Sequence, residues 1–257
     1  MKPVLFKIFG LPIYSYGTMI ALGILAALVL LNVRTKNNYN EDDILSMSII
    51  AIISGVVGGK LLYMITDIKS ILEEPSILKN LGNGFVIYGA IIGGALSVYL
   101  FCKKKGWKAL KMFDIAIPSI ALAQGFGRIG CFLAGCCYGK ATKLAIGVEF
   151  TKSPFAPSGV LRHPTQLYSS IFDFCLAFFL LWYDRKKRKE GRVFSLYVII
   201  YGIGRIIVEF FRDDPRGEIG MLSTSQFISL FTIILGIIIF NINKFSKSKS
   251  EDKNIYN

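Results

Sequence analysis

Two arginines lie inside otherwise apolar stretches of the sequence, where a positive charge needs a chemical reason. Arg128 lies in GRIGCFLAGCCYG, and Arg205 lies in YGIGRIIVEFFR. An ionisable side chain near the centre of a bilayer costs at least ~2.5 kcal/mol, so each needs a partner or a polar cavity. A guanidinium group donates paired hydrogen bonds to phosphate oxygens. The two arginines therefore favour an anion site, and in a membrane the obvious anion is a lipid phosphate.

Other polar groups also occur within the apolar stretches. They are Tyr16, Lys60, Tyr88, Asp114, Asp173, Tyr201 and Glu209. Tyr201 and Glu209 lie four residues before and after Arg205, so a helix places all three on one face. One alternative is that Glu209 only neutralises Arg205 for folding. Because two buried arginines have few buried acids to pair with, we expect positive charge to remain for a ligand.

Three cysteines, Cys131, Cys136 and Cys137, lie in the same segment as Arg128. They allow a second hypothesis, a thiol–disulfide membrane protein that requires all three thiols. The segment lacks a Cys-x-x-Cys pair, however, and the odd total of five cysteines does not fit a secreted disulfide framework. Neither the cysteine and histidine spacing nor any carboxylate cluster indicates a metal, so we expect no metal and no cofactor.

The only histidine, His163, lies in RHPTQLY at the start of an apolar stretch. Pro164 suits the first turn of a helix, and Thr165 and Gln166 can help to cap that helix. We therefore expect His163 and Gln166 to position a loop against the start of a helix rather than to react.

The composition indicates a polytopic membrane protein. Of the 257 residues, 53% are hydrophobic and only 18% are charged, and the apolar residues form long blocks. The net charge of +13 comes from short basic runs between these blocks. No basic stripe is interleaved with aromatic residues, which argues against a nucleic-acid partner.

Seven apolar blocks are long enough to cross a bilayer as helices. They are 12–33, 44–66, 84–102, 112–137, 165–183, 193–211 and 219–242. The predicted fold is therefore all-α, with seven transmembrane helices in one membrane domain over 1–245 and a polar tail at 246–257. The long loop 138–164 is expected to form a small cap outside the membrane.

The basic residues also predict an orientation. The loops after the first, third and fifth blocks and the segment after the seventh hold most of the lysines and arginines, which places them in the cytoplasm. The N-terminus and the segments 67–83, 138–164 and 212–218 are then outside, and the C-terminus is cytoplasmic.

Four segments, in order, resemble the prolipoprotein diacylglyceryl transferase family. GRIGCFLAGCCYG is similar to a family segment that begins Gly-Arg-x-Gly-Asn-Phe, and RHPTQLY is similar to its His-Pro-Ser-Gln-Leu-Tyr element. PIYSYGTMIALG resembles the first-helix segment with its Tyr-Gly, and YGIGRIIVEFFR resembles Tyr-Gly-x-x-Arg-x-x-x-Glu-x-x-Arg. VIYGAIIGG also aligns with a Phe-His-Gly-Gly-Leu-x-Gly segment, and the resemblance covers nearly the whole chain.

The resemblance implies an activity at the outer leaflet of a bacterial inner membrane. The family transfers the diacylglyceryl group of phosphatidylglycerol to the lipobox cysteine of a preprolipoprotein, which forms a thioether and releases glycerol phosphate. The implied catalytic residues are Arg128, Arg205, Tyr16, Tyr88 and Tyr201. Gly139 and Glu209 are expected to bind phosphatidylglycerol together with the two arginines. We expect the chain to act as a monomer in the bilayer.

The sequence departs from the family pattern at positions that bear on the chemistry. Tyr88 replaces the family's histidine, a proposed base, and Ala90 replaces the second glycine of the same segment. Cys131 and Cys136 stand where the family keeps an asparagine and a glutamate, and we expect them to be structural. Three alternatives stay open: the arginines alone carry the chemistry, a phenol or thiol has taken a new role, or the acceptor thiol differs.

A transporter lined by arginines is a further alternative. It predicts anion or lipid flux in liposomes. The sequence shows no pair of broken helices at corresponding positions in two halves, which argues against this class of protein.

Overall fold

The computed structural model describes residues 1–73, 84–151, 153–186, 188–214, 218–219 and 222–253. Its helices are α1 (Ser15–Thr35), α2 (Glu41–Thr66), α3 (Ile68–Glu73), α4 (Ile87–Lys105), α5 (Ala109–Ala134), α6 (Thr165–Tyr183), α7 (Arg192–Glu209) and α8 (Thr224–Lys253). Its strands are β1 (Val4–Ile8), β2 (Leu11–Tyr14), β3 (Val148–Glu149), β4 (Leu161–Arg162), β5 (Glu218–Ile219) and β6 (Leu222–Ser223). They form three antiparallel pairs, β1 with β2, β3 with β4 and β5 with β6.

Six helices in this part of the chain are long and apolar enough to cross a membrane: α1, α2, α4, α5, α6 and the first part of α8. Many of their apolar side chains, such as Val33 and Ile92, are exposed in the isolated chain, as side chains that face lipid would be. The helix α7 has 18 residues and includes Arg192, Arg205 and Glu209, so its composition alone does not identify it as a span. The prediction of an all-α polytopic membrane protein is confirmed, whereas the count of seven spans stays a prediction.

Several predicted boundaries are corrected by local structure. The first helix begins at Ser15 rather than at residue 12, because Leu11–Tyr14 is a strand of the hairpin β1–β2. Phe9 and Gly10 form the turn of that hairpin with positive φ angles of 48° and 82°. The last helix continues to Lys253, beyond the predicted end of its apolar block at 242. The predicted segments 67–83, 212–218 and 246–257 lie partly outside the described residues.

The chain contains two compact units, Asn32–Met112 and the combination of Met1–Leu31 with Phe113–Asn257. The predicted single membrane domain over 1–245 stays a prediction. Within the first of these units, α2 and α4 approach so closely that a Cβ atom at Gly58, Gly89 or Gly93 would collide with the backbone of the facing helix. Gly89 and Gly93 are four residues apart, a spacing of small residues that lets helix backbones approach closely.

The unit that contains α5, α6 and α7 has its own apolar core. Ile117 of α5, Leu180 of α6 and Val193 of α7 belong to one buried cluster. The carboxylate of Asp114 accepts hydrogen bonds from the backbone N–H groups of Gly191 and Phe194, at 2.6 and 2.7 Å. These bonds satisfy donors at the N-terminus of α7 that have no partner within the helix. The three helices are thereby fixed against one another.

The loop 138–164 is folded, as the sequence predicts for the cap. Its strands β3 and β4 pair antiparallel, and the side chain of Phe150 is completely buried beside Tyr138 and Ala156. Gly139 forms an isolated bridge with Arg212, which connects the cap to the residues that follow α7. The cap is therefore attached to the same unit as α5, α6 and α7.

Candidate active site

A small recess lies among α5, α6 and α7 and is lined by both arginines singled out in the sequence. Its lining residues are Arg128, Ser169, Phe172, Asp173, Tyr201, Gly204, Arg205 and Val208. The chain thus brings together positive, acidic and phenolic side chains from three helices. Of the residues proposed from the sequence to be catalytic, Arg128, Arg205 and Tyr201 line this recess.

Arg205 is held in place by two neighbours. One terminal nitrogen, Nη2, donates a hydrogen bond to the hydroxyl of Ser225 at 2.9 Å and lies 3.4 Å from the Glu209 carboxylate. The predicted pairing between Arg205 and Glu209 along the helix is therefore present. The other terminal nitrogen, Nη1, is buried and has no hydrogen-bond partner in the described part of the chain. An unfilled donor of this kind is suited to an oxygen atom of a ligand.

Arg128 enters the recess from α5 and is half-buried. Its charge interacts with Tyr201, Cys131, Asp173 and Cys137. Within the residues that the structure describes, it forms no hydrogen bond and no ion pair in contact distance. Its donors therefore remain for a ligand, whereas Arg205 is already partly engaged by protein groups.

Asp173 of α6 is an acid to which the sequence assigned no role. Its side chain is buried, and it interacts electrostatically with both Arg128 and Arg205. One of its oxygens, Oδ2, has no hydrogen-bond partner among the described residues. The sequence signal that could have identified Asp173 is an acidic residue within an apolar block, because such a residue is expected to pair with a buried cation.

Tyr201 is positioned by a stack of aromatic rings. Its ring lies nearly parallel to that of Tyr197, with centroids 5.4 Å apart. The Tyr197 hydroxyl donates a hydrogen bond to the side-chain oxygen of Gln124 at 2.7 Å, which connects α7 to α5. Tyr201 also interacts with the charges of Arg128 and Arg205. The phenol of Tyr201 therefore lies in the recess close to the two arginines.

A third arginine, Arg212, contributes positive charge close by. It forms paired hydrogen bonds with Asp214, at 2.9 and 2.8 Å, and its charge interacts with that of Arg205. Burial opposes the charge of Arg212, but Asp214 and Cys137 more than offset this effect, so the pKa of Arg212 lies above its ordinary value. Arg212 is the last arginine of YGIGRIIVEFFR, so its position in this segment was a sequence signal for a functional role. No local pattern in the sequence predicts its contact with Asp214.

The three cysteines near Arg128 form one cluster. The helix α5 ends at Ala134 rather than at residue 137, because Gly135 turns the chain with a φ of +81°. Cys136 and Cys137 therefore lie in a loop beside Cys131, and the three sulfur atoms are within 4.8 Å of one another. The neighbouring thiols of Cys131 and Cys136, together with Arg212 and Arg128, lower the pKa of Cys137.

The beginning of α6 holds this cysteine loop. The Thr165 hydroxyl donates a hydrogen bond to the carbonyl oxygen of Cys137 at 2.7 Å. The Gln166 side-chain amide donates one to the carbonyl oxygen of Cys136 at 2.5 Å. The prediction that Thr165 and Gln166 cap α6 is wrong, since no side chain forms a capping hydrogen bond there. The Gln166 amide nevertheless contacts this loop, and the positioning role expected for it stays a prediction.

His163 and Gly139 lie at the contact between the cap and the end of α7. His163 Nδ1 lies 3.0 Å from the Tyr168 hydroxyl, and its ring packs edge-on against Phe211. The Gly139 N–H donates to the carbonyl oxygen of His163 at 3.0 Å. A Cβ atom at Gly139 would lie 2.6 Å from that oxygen and 2.7 Å from the Phe211 oxygen. Neither residue lines the recess, and substrate binding by Gly139 stays a prediction.

The two remaining candidate tyrosines lie elsewhere in the chain. Tyr16, near the start of α1, lies against Gly130 of α5, where a Cβ atom would be 3.2 Å from the tyrosine ring. It interacts electrostatically with the cysteine cluster and with Arg128. Tyr88 is half-buried near the start of α4, in the unit Asn32–Met112. The catalytic roles of both tyrosines stay predictions.

The comparisons with known proteins agree with the chemistry of the recess. The sequence profile described as prolipoprotein diacylglyceryl transferase matches residues 3–242. A phosphatidylglycerol–prolipoprotein diacylglyceryl transferase of Clostridium tetani (strain Massachusetts / E88) is 73% identical over 96% of this chain and 100% of its own length. The corresponding transferase 2 of Clostridium perfringens (strain 13 / Type A) is 55% identical over 97% of this chain and 98% of its own. A protein of Dehalococcoides mccartyi (strain CBDB1) with the same name is 35% identical over 98% of this chain and 97% of its own length. The chain belongs to the prolipoprotein diacylglyceryl transferase family.

Proposed function

We propose that this chain transfers the diacylglyceryl group of phosphatidylglycerol to the lipobox cysteine of a preprolipoprotein. Relatives that match it over nearly their whole length are named for this activity. The observation that carries the proposal is the shared recess of Arg128 and Arg205, in which both arginines retain donors for a ligand. A lipid phosphodiester is an anion that paired guanidinium groups bind well.

The proposed reaction is a displacement at the glyceryl carbon that carries the phosphate. The acceptor sulfur forms a bond to this carbon, the carbon–oxygen bond to the phosphate breaks, and the electron pair leaves with glycerol phosphate. Negative charge grows on the leaving oxygen, and fixed guanidinium donors stabilise it in a site of low dielectric. Arg128 and Arg205 are the residues proposed to bind and stabilise this group.

The acceptor thiol must lose its proton to become a strong nucleophile. A free thiol has a pKa of about 8.5, and positive potential favours the thiolate. Arg128 and Arg205 supply positive charge in the recess, and the charge of Arg212 interacts with that of Arg205. In this scheme the thiol proton is finally released to solvent, and the positive potential of the arginines favours its loss.

Asp173 is proposed as a positioning residue. Its carboxylate is buried and interacts with the charges of both guanidinium groups. The same charges allow it to fix the arginines at the spacing that a phosphate requires. Glu209 has the corresponding role for Arg205 alone, and Tyr201 offers a hydroxyl beside the bound phosphate.

We further propose that the chain acts as a monomer in a bacterial cell membrane, with the N-terminus outside and the C-terminus in the cytoplasm. The basic loops support this orientation. A green fluorescent protein fused to the C-terminus is expected to fluoresce, whereas a fusion exported to the outside does not. Light scattering of the purified chain in detergent is expected to give the mass of one copy.

The direct test uses purified full-length protein, phosphatidylglycerol and a lipobox peptide. Mass spectrometry is expected to find the diacylglyceryl group on the peptide cysteine, with an equal amount of glycerol phosphate released. A peptide with serine in place of that cysteine should give no thioether. If the folded protein forms no thioether with the cysteine peptide, the proposed acceptor is wrong, and flux of lipid or anion in liposomes would indicate a transporter instead.

A further inference from the structure

The cluster of Cys131, Cys136 and Cys137 has the geometry of a metal-binding site. All three sulfur atoms lie within 4.8 Å of one another. Sulfur atoms that bind one zinc ion at about 2.3 Å in tetrahedral geometry are about 3.8 Å apart. The observed arrangement therefore needs shifts of less than about one ångström to hold such an ion, which side-chain rotation can supply.

The backbone that presents these thiols is already fixed. Cys137 has a positive φ of 61°, a conformation that costs energy for a residue with a side chain. Hydrogen bonds from Thr165 and Gln166 to the carbonyl oxygens of Cys137 and Cys136 maintain it. The backbone N–H groups of Gly135 and Cys136 both donate to the Cys131 carbonyl oxygen. A ligand for the thiols consequently does not need to order the loop.

The surroundings also suit a negatively charged metal–thiolate group. Three thiolates with one monovalent or divalent cation carry a net negative charge, and the charges of Arg128 and Arg212 interact with Cys137. Cys131 is buried, whereas Cys136 and Cys137 are half-buried, so an ion can reach the cluster and is then partly shielded from water. Thiolate ligands select soft cations over magnesium and calcium.

We propose that Cys131, Cys136 and Cys137 bind one thiophilic cation of the class of Zn²⁺, Cd²⁺ or Cu⁺ through their three sulfur atoms. Each coordinating thiol releases its proton to solvent as the metal–sulfur bond forms. None of the three cysteines is among the residues proposed to bind phosphatidylglycerol, although the cluster lies near one of those residues, Arg128. It does not depend on the transferase activity, and its test needs no lipid substrate.

The test is a titration of reduced, metal-free, full-length protein in detergent with Cd²⁺. Cadmium–thiolate bonds absorb in the ultraviolet, so binding is expected to produce a charge-transfer band that saturates at one equivalent. The control variant Cys102→Ala/Cys175→Ala lacks the other two cysteines and should retain the band. The variant Cys131→Ala/Cys136→Ala/Cys137→Ala should lose it.

A single substitution keeps the test decisive if the triple variant does not fold. Cys136→Ser keeps the loop length, nearly the same side-chain size and a group that can form hydrogen bonds. Because it removes one sulfur ligand, it should weaken Cd²⁺ binding about ten-fold or more. Absence of the band in the wild-type protein, or a band of undiminished strength and affinity in the folded Cys136→Ser protein, would overturn the proposal. Circular dichroism establishes that each variant used is folded.

Discussion

Arg128 and Arg205 line one recess, although the cap and the whole of α6 separate them in the chain. The buried carboxylate of Asp173 interacts with both guanidinium groups from the helix between them in sequence. Arg205 is partly satisfied by Ser225 and Glu209, whereas Arg128 makes no hydrogen bond within the described residues. The pair is therefore arranged to complete its hydrogen bonding with an external anion.

Replacing the carboxylate of Asp173 tests its positioning role. Asp173→Asn keeps the shape but removes the charge that holds the two arginines, and a misplacement of about 1 Å can cost about 100-fold in rate. We expect a rise in KM for phosphatidylglycerol and a loss of transfer of that order. Steady-state kinetics in mixed micelles measures both.

The pH profile separates this role from that of a general base. A positioning residue changes the height of the rate profile but not its midpoints, so Asp173→Asn should keep the wild-type midpoints. A lost acidic limb in the mutant profile would instead identify Asp173 as a titrating base.

The histidine at the cap is expected to be structural. His163→Gln retains a side chain that can hydrogen-bond to Tyr168, so transfer should fall less than about ten-fold, whereas loss of a general acid or base costs about 10² or more. The measurement is the initial rate at saturating phosphatidylglycerol. A loss of 100-fold in a protein with unchanged thermal stability would make His163 a participant in the chemistry.

Gly139 is expected to affect stability before activity. In Gly139→Ala the new methyl group meets the carbonyl oxygens of His163 and Phe211, and overpacking of this kind costs about 1–3 kcal/mol. Thermal unfolding in detergent should show a lower Tm. The matched control is Gly127→Ala in α5, where a Cβ atom meets nothing within 4 Å and alanine favours the helix. Equal Tm values for Gly139→Ala and the wild type would contradict the close approach.

Tyr88 stands where the family keeps a histidine, and its hydroxyl is the group to test. If Tyr88 exchanges a proton in the reaction, Tyr88→Phe removes that capacity, and we expect a loss of about 100-fold or more. Tyr88→His supplies another proton-exchanging group and should retain more activity than the phenylalanine variant. Equal, wild-type-like rates for both variants would show that the arginines act without this residue.

The sequence predicts the class of helical membrane protein well, because apolar blocks long enough to span a bilayer are compatible with few other folds. Arg128 and Arg205 were identified for a related reason: a cation is expensive in apolar surroundings, so its presence indicates a ligand or a partner. Glu209 was found through its four-residue spacing from Arg205. These signals are local, and each can be detected within one segment.

The remaining features depend on contacts between distant segments. The interaction of Asp173 with both arginines requires the packing of α5, α6 and α7, which no local pattern specifies. The end of α5 at Ala134 follows from the turn at Gly135 and from hydrogen bonds donated by the start of α6. The sequence therefore identified the cysteines but predicted neither their shared cluster nor the residues that hold it.

The most direct test of the account is transfer by Arg205→Ala, compared with Arg188→Ala as the matched control. Arg188 lies in the exposed loop between α6 and α7, over the ring of Tyr183 and away from the recess. The two purified proteins are compared at equal folded concentration for thioether formed from phosphatidylglycerol and a lipobox peptide. Because a preorganised charge at the leaving group is worth about 10²–10³ in rate, Arg205→Ala should lose transfer by at least about 100-fold while Arg188→Ala keeps it. Wild-type transfer by a folded Arg205→Ala protein would contradict the account.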